Sequence, residues 1–162
     1  MKALAIFSVI ISILTFQHPG YAQSLRDATV VFRAGNWKVL RLVDPMDDTV
    51  RCTGIYKDDY RIQLSPDNLF IGIQGGIETV TLRFGDKPAQ KLRLASEMEK
   101  KIRSAIITGA EFEELNGSKR LLYQVNTLIS GIKTGEINLD GFDEALSNIR
   151  SGCPLKKEPQ KW

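Results

Sequence analysis

Thr79-Val80-Thr81-Leu82-Arg83-Phe84 alternates without a break, so that in an extended chain Val80, Leu82 and Phe84 fall on one face and Thr79, Thr81 and Arg83 on the other. One apolar and one wettable face is the pattern of a strand that covers a core on one side only, as antiparallel sheets do. Gly85-Asp86-Lys87-Pro88 then supplies turn residues, and Gln90-Lys91-Leu92-Arg93-Leu94 brings the chain back, which predicts a hairpin.

The same rhythm extends upstream. Trp37–Leu42 leads through the turn-rich Asp44-Pro45-Met46-Asp47-Asp48 to Val50–Tyr56. Lys57-Asp58-Asp59 then leads to Tyr60–Leu64, and Pro66-Asp67-Asn68 to Leu69–Ile73. Gly72, Gly75 and Gly76 do not join a strand to a helix as a phosphate loop would, so they read as a bulge and a turn. Downstream, Leu121–Val125 follows Asn116-Gly117, which reads as a turn in preference to a glycosylation acceptor.

Two helices break the pattern. Ser96 with Glu99 three residues on is a capping box, and Met98, Ile102, Ala105 and Ile106 are spaced for one core-facing stripe, with Glu97–Lys101 and Glu99–Arg103 as pairs on the solvent side. A second helix starts near Asp140, buries Phe142, Ala145, Leu146 and Ile149, and stops at Gly152; Asp140 and Asp143 sit where the helix dipole favours negative charge. The expected fold is mainly β, an antiparallel sandwich or barrel-like domain over residues 24–153 with two short helices, followed by a basic tail, 154–162.

Lys2 precedes an apolar stretch from Ala3 to Leu14, a polar segment with His18, Pro19 and Gly20, and Tyr21-Ala22-Gln23, the layout of a secretory signal over residues 1–23. The run is too short to span a bilayer before Pro-Gly, which needs about 20 apolar residues. The mature domain, about 140 residues, has the size of one domain and no expected transmembrane segment. Its charge is +2 once Lys2 is removed from a chain of net charge +3, and that balance does not suit nucleic-acid binding.

His18 is the one histidine of the chain, and it lies in the signal. A histidine-free domain cannot run Ser-His-Asp or Cys-His catalysis or build imidazole metal sites. Two cysteines in an exported chain predict one disulfide, Cys52–Cys153, which clamps the last helix to the early strands. It closes a loop of about 100 residues, worth up to about 4.7 kcal/mol in the chain-entropy model.

The opening Gly35-Asn36-Trp37-Lys38-Val39, the Asp44–Asp48 turn and the closing Leu139-Asp140-Gly141-Phe142-Asp143-Glu144-Ala145-Leu146, with Arg150 and Cys153 beyond, resemble two groups of small bacterial envelope proteins. One is the invasion-associated locus B family and the other the VasI-like accessory proteins of type VI secretion systems. The resemblance covers the two ends of the mature chain. It implies a periplasmic, non-enzymatic, β-sandwich-like module, with no catalytic residues to carry over and another envelope or secretion-system protein as partner.

Three acidic groups carry competing chemistry. Asp44, Asp47 and Asp48 are oxygen donors on a tight loop, a cation site in one reading and an Asx-type turn in the other, which the absence of a twelve-residue Gly-bearing loop favours; Asp58 and Asp59 read likewise as a turn. Glu111, Glu113 and Glu114 could serve glycoside cleavage, which needs two facing carboxylates and no histidine, and otherwise form a solvated surface. The expected function is thus a binding or accessory module without catalytic residues, cofactor or metal. An inhibitor of a wall hydrolase, or a carboxylate-dependent glycan hydrolase, is the alternative. The tail, from Pro154 to Trp162, mixes bases with an aromatic and reads as a frayed end, or as a contact for anionic lipid or a partner.

The intact mass of protein recovered from periplasmic expression should equal the chain without residues 1–23 or a cut at a neighbouring bond. Recovery at full length would refute the signal reading.

Overall fold

A computed structural model describes residues 28–155. The expected leader, residues 1–23, and residues 156–162 of the expected tail lie outside the described residues.

Strands β1 (Thr29–Ala34), β2 (Trp37–Val43), β3 (Val50–Tyr56), β4 (Asp59–Leu64) and β5 (Asn68–Gly72) follow one another as antiparallel neighbours. The sheet is completed by β8 (Ser104–Thr108), giving the order β1-β2-β3-β4-β5-β8. A second sheet, β10-β9-β6-β7, is built from β6 (Thr79–Phe84), β7 (Arg93–Leu94), β9 (Arg120–Thr127) and β10 (Gly131–Asn138). The two sheets remain separate, so the sandwich form of the expectation holds and the barrel form does not. Among the described residues no helix is long and apolar enough to cross a membrane.

The alternation of Thr79–Phe84 does what it predicts: Val80, Leu82 and Phe84 are buried. The predicted return strand is reduced to Arg93–Leu94, paired with Val80 and Thr79. β10 lies across the strand ends of the larger sheet. Near its start the Lys133 ammonium donates to the Gln74 carbonyl (2.8 Å), and at its end the Asn138 N–H donates to the Tyr56 hydroxyl oxygen (3.1 Å). Just beyond, the Asn36 N–H donates to the Asp140 carbonyl (3.0 Å).

Among the described residues three helices are present instead of two. α1 (Glu97–Ile102) has the predicted capping box, with the Glu99 N–H donating to Ser96 Oγ and the Ser96 N–H to the Glu99 carboxylate. Its predicted core stripe is wrong. The helix ends at Arg103 in the left-handed conformation, Ala105 and Ile106 belong to β8, Met98 and Ile102 face solvent, and Glu99 is the buried residue. The predicted pairs also differ: Glu97 meets Lys100, and Glu99 meets Arg93. The extra helix, α2 (Ala110–Glu113), is a single turn that buries Phe112.

α3 (Phe142–Arg150) buries Phe142, Ala145, Leu146 and Ile149 as its spacing predicts, and it packs on β1, β2 and β3. Its start is Gly141, without a side-chain cap. A Cβ there would lie 2.1 Å from the Ala34 carbonyl oxygen, so only glycine lets the helix approach the β1–β2 turn. Phe142 meets the Trp37 ring at 5.6 Å and the Phe112 ring at 6.1 Å, and Trp37 meets Tyr56 at 5.3 Å, so one aromatic cluster joins sheet, α2 and α3. Each such pair contributes about 0.5–1.5 kcal/mol beyond its area.

The disulfide Cys52–Cys153 is formed, joining β3 to the third residue after α3 across a sequence separation of 101. Cys153→Ser should cost about 2–5 kcal/mol, and by hydrogen exchange the α3 amides should lose protection before those of the sheets. Unchanged α3 protection in the variant would show that packing alone holds the helix.

Candidate interaction surface

Most of the sequence-predicted acids are answered by donors of their own; Asp48 instead takes the left-handed conformation (φ 57°) in its turn, its N–H donating to the Asp44 carbonyl. In the Asp44–Asp48 turn, Asp44 accepts from the Met46 N–H and Arg51, and Asp47 accepts from the N–H and hydroxyl of Thr49. Hydrogen bonds from Thr49 lower the Asp47 pKa. These are Asx-turn contacts, and among the described residues no three acidic, histidine or cysteine side chains are grouped to hold a metal. Lys57 and Asp58 both have positive φ, forming the tight turn between β3 and β4. Asp58 holds the ammonium of Lys38, whose pKa it raises while its own falls.

Glu111 lies 3.4 Å from Arg93, Glu113 3.8 Å from Arg150, and Glu114 accepts from Lys87 and Gln90 at 3.1 and 3.2 Å. Asp143 belongs to the first turn of α3 and its carboxylate accepts weakly from the Gly117 N–H, whereas Asp140 precedes the helix. A recess of about 130 Å³ between the sheets is lined by Asp59, Arg61, Tyr123 and Lys133. There Arg61 grips Asp59 with two hydrogen bonds of 2.8–2.9 Å, and burial pushes the Tyr123 phenol above its ordinary pKa.

The group that sequence reasoning missed is Glu99 with Arg93. Arg93 donates to both Glu99 oxygens at 2.9 Å, and the Ser96 and Ile106 N–H groups donate to the same carboxylate at 2.8 Å. Arg93 also donates to the Ile106 carbonyl at 3.1 Å. β8 is the last strand of its sheet, so the pair takes the place of a missing neighbour strand at Ile106 and ties that edge to β7, the last strand of the other sheet. Burial raises the Glu99 pKa, but the guanidinium and the two backbone donors outweigh it and hold it at about 2. The capping box was legible; a partner six residues upstream carried no signal.

With Glu99 turned inward, α1 presents Met98 and Ile102 to solvent. Beside it the β9–β10 turn carries Leu128 and Ile129, 73% and 85% exposed. Between the two lies a groove of about 340 Å³, lined by the Gly75–Glu78 loop, Lys100, Arg103, Leu128 and Ile129. Both walls are fixed: the Ile73 N–H donates to the Arg103 carbonyl (2.7 Å). The buried Thr127 hydroxyl donates to the Gly131 carbonyl and accepts from the Ser130 N–H, both at 2.9 Å. The side chains that line the groove are aliphatic and charged, Leu128 and Ile129 with Lys100, Arg103 and Glu78.

The chain matches no family model, no curated protein and no solved structure.

Because the folded pKa of Glu99 lies below its ordinary value of 4.5, its contribution is fully present above that value and is lost as pH falls from 4.5 toward about 2. Glu99→Gln should therefore lose about 3 kcal/mol at neutral pH. Urea midpoints should converge with those of the parent as pH approaches 2. Curves that stay parallel from pH 6 to 2 would refute the assignment.

Proposed function

We propose that this chain is an exported, non-enzymatic binding or accessory module of the bacterial envelope, acting next to secretion or host contact. The observation that carries the reading is how the candidate acids are held. The acids singled out as catalytic candidates, Glu111, Glu113 and Glu114, are each held by a different partner, Arg93, Arg150 and Lys87. Exposed apolar side chains occur in several places, with Leu128 and Ile129 on the β9–β10 turn, Met98 and Ile102 on α1, and Val43, Met46 and Val50 around the β2–β3 turn. Glycoside cleavage needs two carboxylates about 5–9.5 Å apart across a cleft, whereas these three are turned to separate cationic side chains.

Further support comes from the disulfide, which belongs to oxidising compartments. The histidine content and the terminal sequence resemblance to the invasion-associated locus B and VasI-like proteins point the same way. The partner on this reading is another envelope or secretion-system protein.

Crosslinking in intact cells followed by purification should recover a defined envelope or secretion-system protein, and Ile129→Asp should reduce its yield. Recovery of no envelope protein under several crosslinkers, or release of sugar from purified wall glycan, would overturn the proposal.

A further inference from the structure

Two hairpin tips lie side by side at one end of the larger sheet. Ala34 pairs with Trp37 across the Gly35-Asn36 turn, and Tyr56 with Asp59 across Lys57-Asp58. The Lys57 N–H donates to the Asn36 carbonyl at 2.9 Å and ties the two tips together. Against them is a recess of about 170 Å³ whose charged lining is Arg33, Lys38, Lys57 and Asp58. Three cations share this small space with one carboxylate.

That arrangement works against the fold. Arg33 is the direct cross-strand partner of Lys38, and like charges opposite one another destabilise a sheet. Lys38 is 9% exposed, and a buried ammonium needs acceptors for its three N–H groups. Asp58 takes one, the Tyr60 hydroxyl oxygen lies at 3.4 Å, and no third acceptor is present among the described residues. Lys57 and Asp58 also occupy two left-handed turn positions that favour Asn-Gly. Each feature is a local cost, and together they keep positive charge around one recess.

The cations here are free where those of the recess between the sheets are not. There Arg61 grips Asp59, and Lys133 is bonded to the Gln74 carbonyl. Arg33 and Lys57 form no ion pair among the described residues. Asp58, the one acid in the lining, is already held by Lys38. Asp140 backs onto Gly35 but does not line the recess. Three positive groups against one negative leave a net charge of +2 in the lining, which suits a dianion. A guanidinium fork beside an ammonium matches a group with several acceptor oxygens. The volume is below the roughly 300 Å³ at which sites for larger organic ligands begin, so it suits one compact group.

We infer that the recess beside the β1–β2 and β3–β4 turns binds a phosphate dianion, free or carried as a phosphomonoester, with Arg33 and Lys57 donating to its oxygens and the buried Lys38 supplying the third positive charge. The site is formed before it binds. The Lys57–Asn36 bond joins the tips, and the Asn36 N–H is itself anchored on the Asp140 carbonyl at 3.0 Å, so little ordering opposes binding. This assignment goes beyond the reading as an envelope module and does not depend on it.

The test is a titration of isotope-labelled, periplasmically expressed protein, its N-terminus verified by mass, followed by amide chemical shifts. Sodium phosphate and phenyl phosphate are added separately at about pH 7.5, where both are largely dianionic, with ionic strength held constant by sodium chloride. The Asn36, Lys57 and Asp58 amides should shift saturably with either probe. Equal affinities would identify the free anion as the ligand, and phenyl phosphate tighter by about tenfold would identify a carried one. Arg33→Gln with Lys57→Gln should weaken binding by about tenfold or more. Asp58→Asn should tighten it by about fivefold, because a nearby negative charge is removed. Asp58 is 73% exposed and asparagine accepts the left-handed turn, so this variant should fold as the parent does. Shifts that do not saturate, that sodium chloride alone reproduces, or that survive the Arg33 and Lys57 changes overturn the inference. So does an Asp58→Asn protein that binds no more tightly than the parent, and the envelope-module reading stands in each of these cases.

Discussion

One buried carboxylate holds the edges of the two sheets together. Glu99 is 2% exposed, and a charge so placed is tolerable only if its lone pairs are filled. Four donors fill them, two from Arg93 and two from backbone N–H groups. Two of those partners would be orphans without it: the Ser96 N–H is exposed by the start of a helix, and the Ile106 N–H by the end of a sheet. The carboxylate therefore satisfies a helix terminus, a strand edge and a guanidinium at one point, and the guanidinium passes the link on to the Ile106 carbonyl.

The other end of the larger sheet is closed by different means. There α3 lies over β1, β2 and β3, an aromatic cluster of Trp37, Tyr56, Phe112 and Phe142 fills the space beneath, and Cys52–Cys153 locks the end of the helix. This closure is apolar and covalent, while the one at Glu99 is ionic, so acid weakens the two unequally.

Strands of alternating pattern, the α3 stripe and the cysteine pair were legible in the sequence because each rests on a periodicity or a count. Phe142, Ala145, Leu146 and Ile149 repeat at helical spacing, and a nine-residue helix is long enough for that spacing to decide which face is covered. α1 was misread for a physical reason. At six residues it is too short to own a stripe, and the apparent stripe from Met98 to Ile106 mixes a helix with a strand. Ala105 and Ile107 alternate into the core because β8 pairs with β5. β1 had a signal in Thr29-Val30-Val31-Phe32 before the Gly35-Asn36 turn. β10 had little, since Gly131, Gly135 and Asn138 are weak strand formers, and its place is set by eight register pairs with β9. Of the candidate surface, Leu128 and Ile129 carried no mark in sequence beyond being apolar.

The exposure of Met98 and Ile102 follows from the same carboxylate. A helix of six residues has only one side to bury, and the ion pair claims it, so the apolar residues on either side of Glu99 are turned to water. Hydrophobicity alone would rotate α1 the other way, burying Met98 and Ile102 at roughly 1.5–3 kcal/mol each. It would then leave Glu99 far from Arg93 and the Ile106 edge with neither partner. The sheet edge outweighs the two side chains, and the exposure of Met98 and Ile102 is the direct result of how that edge is closed.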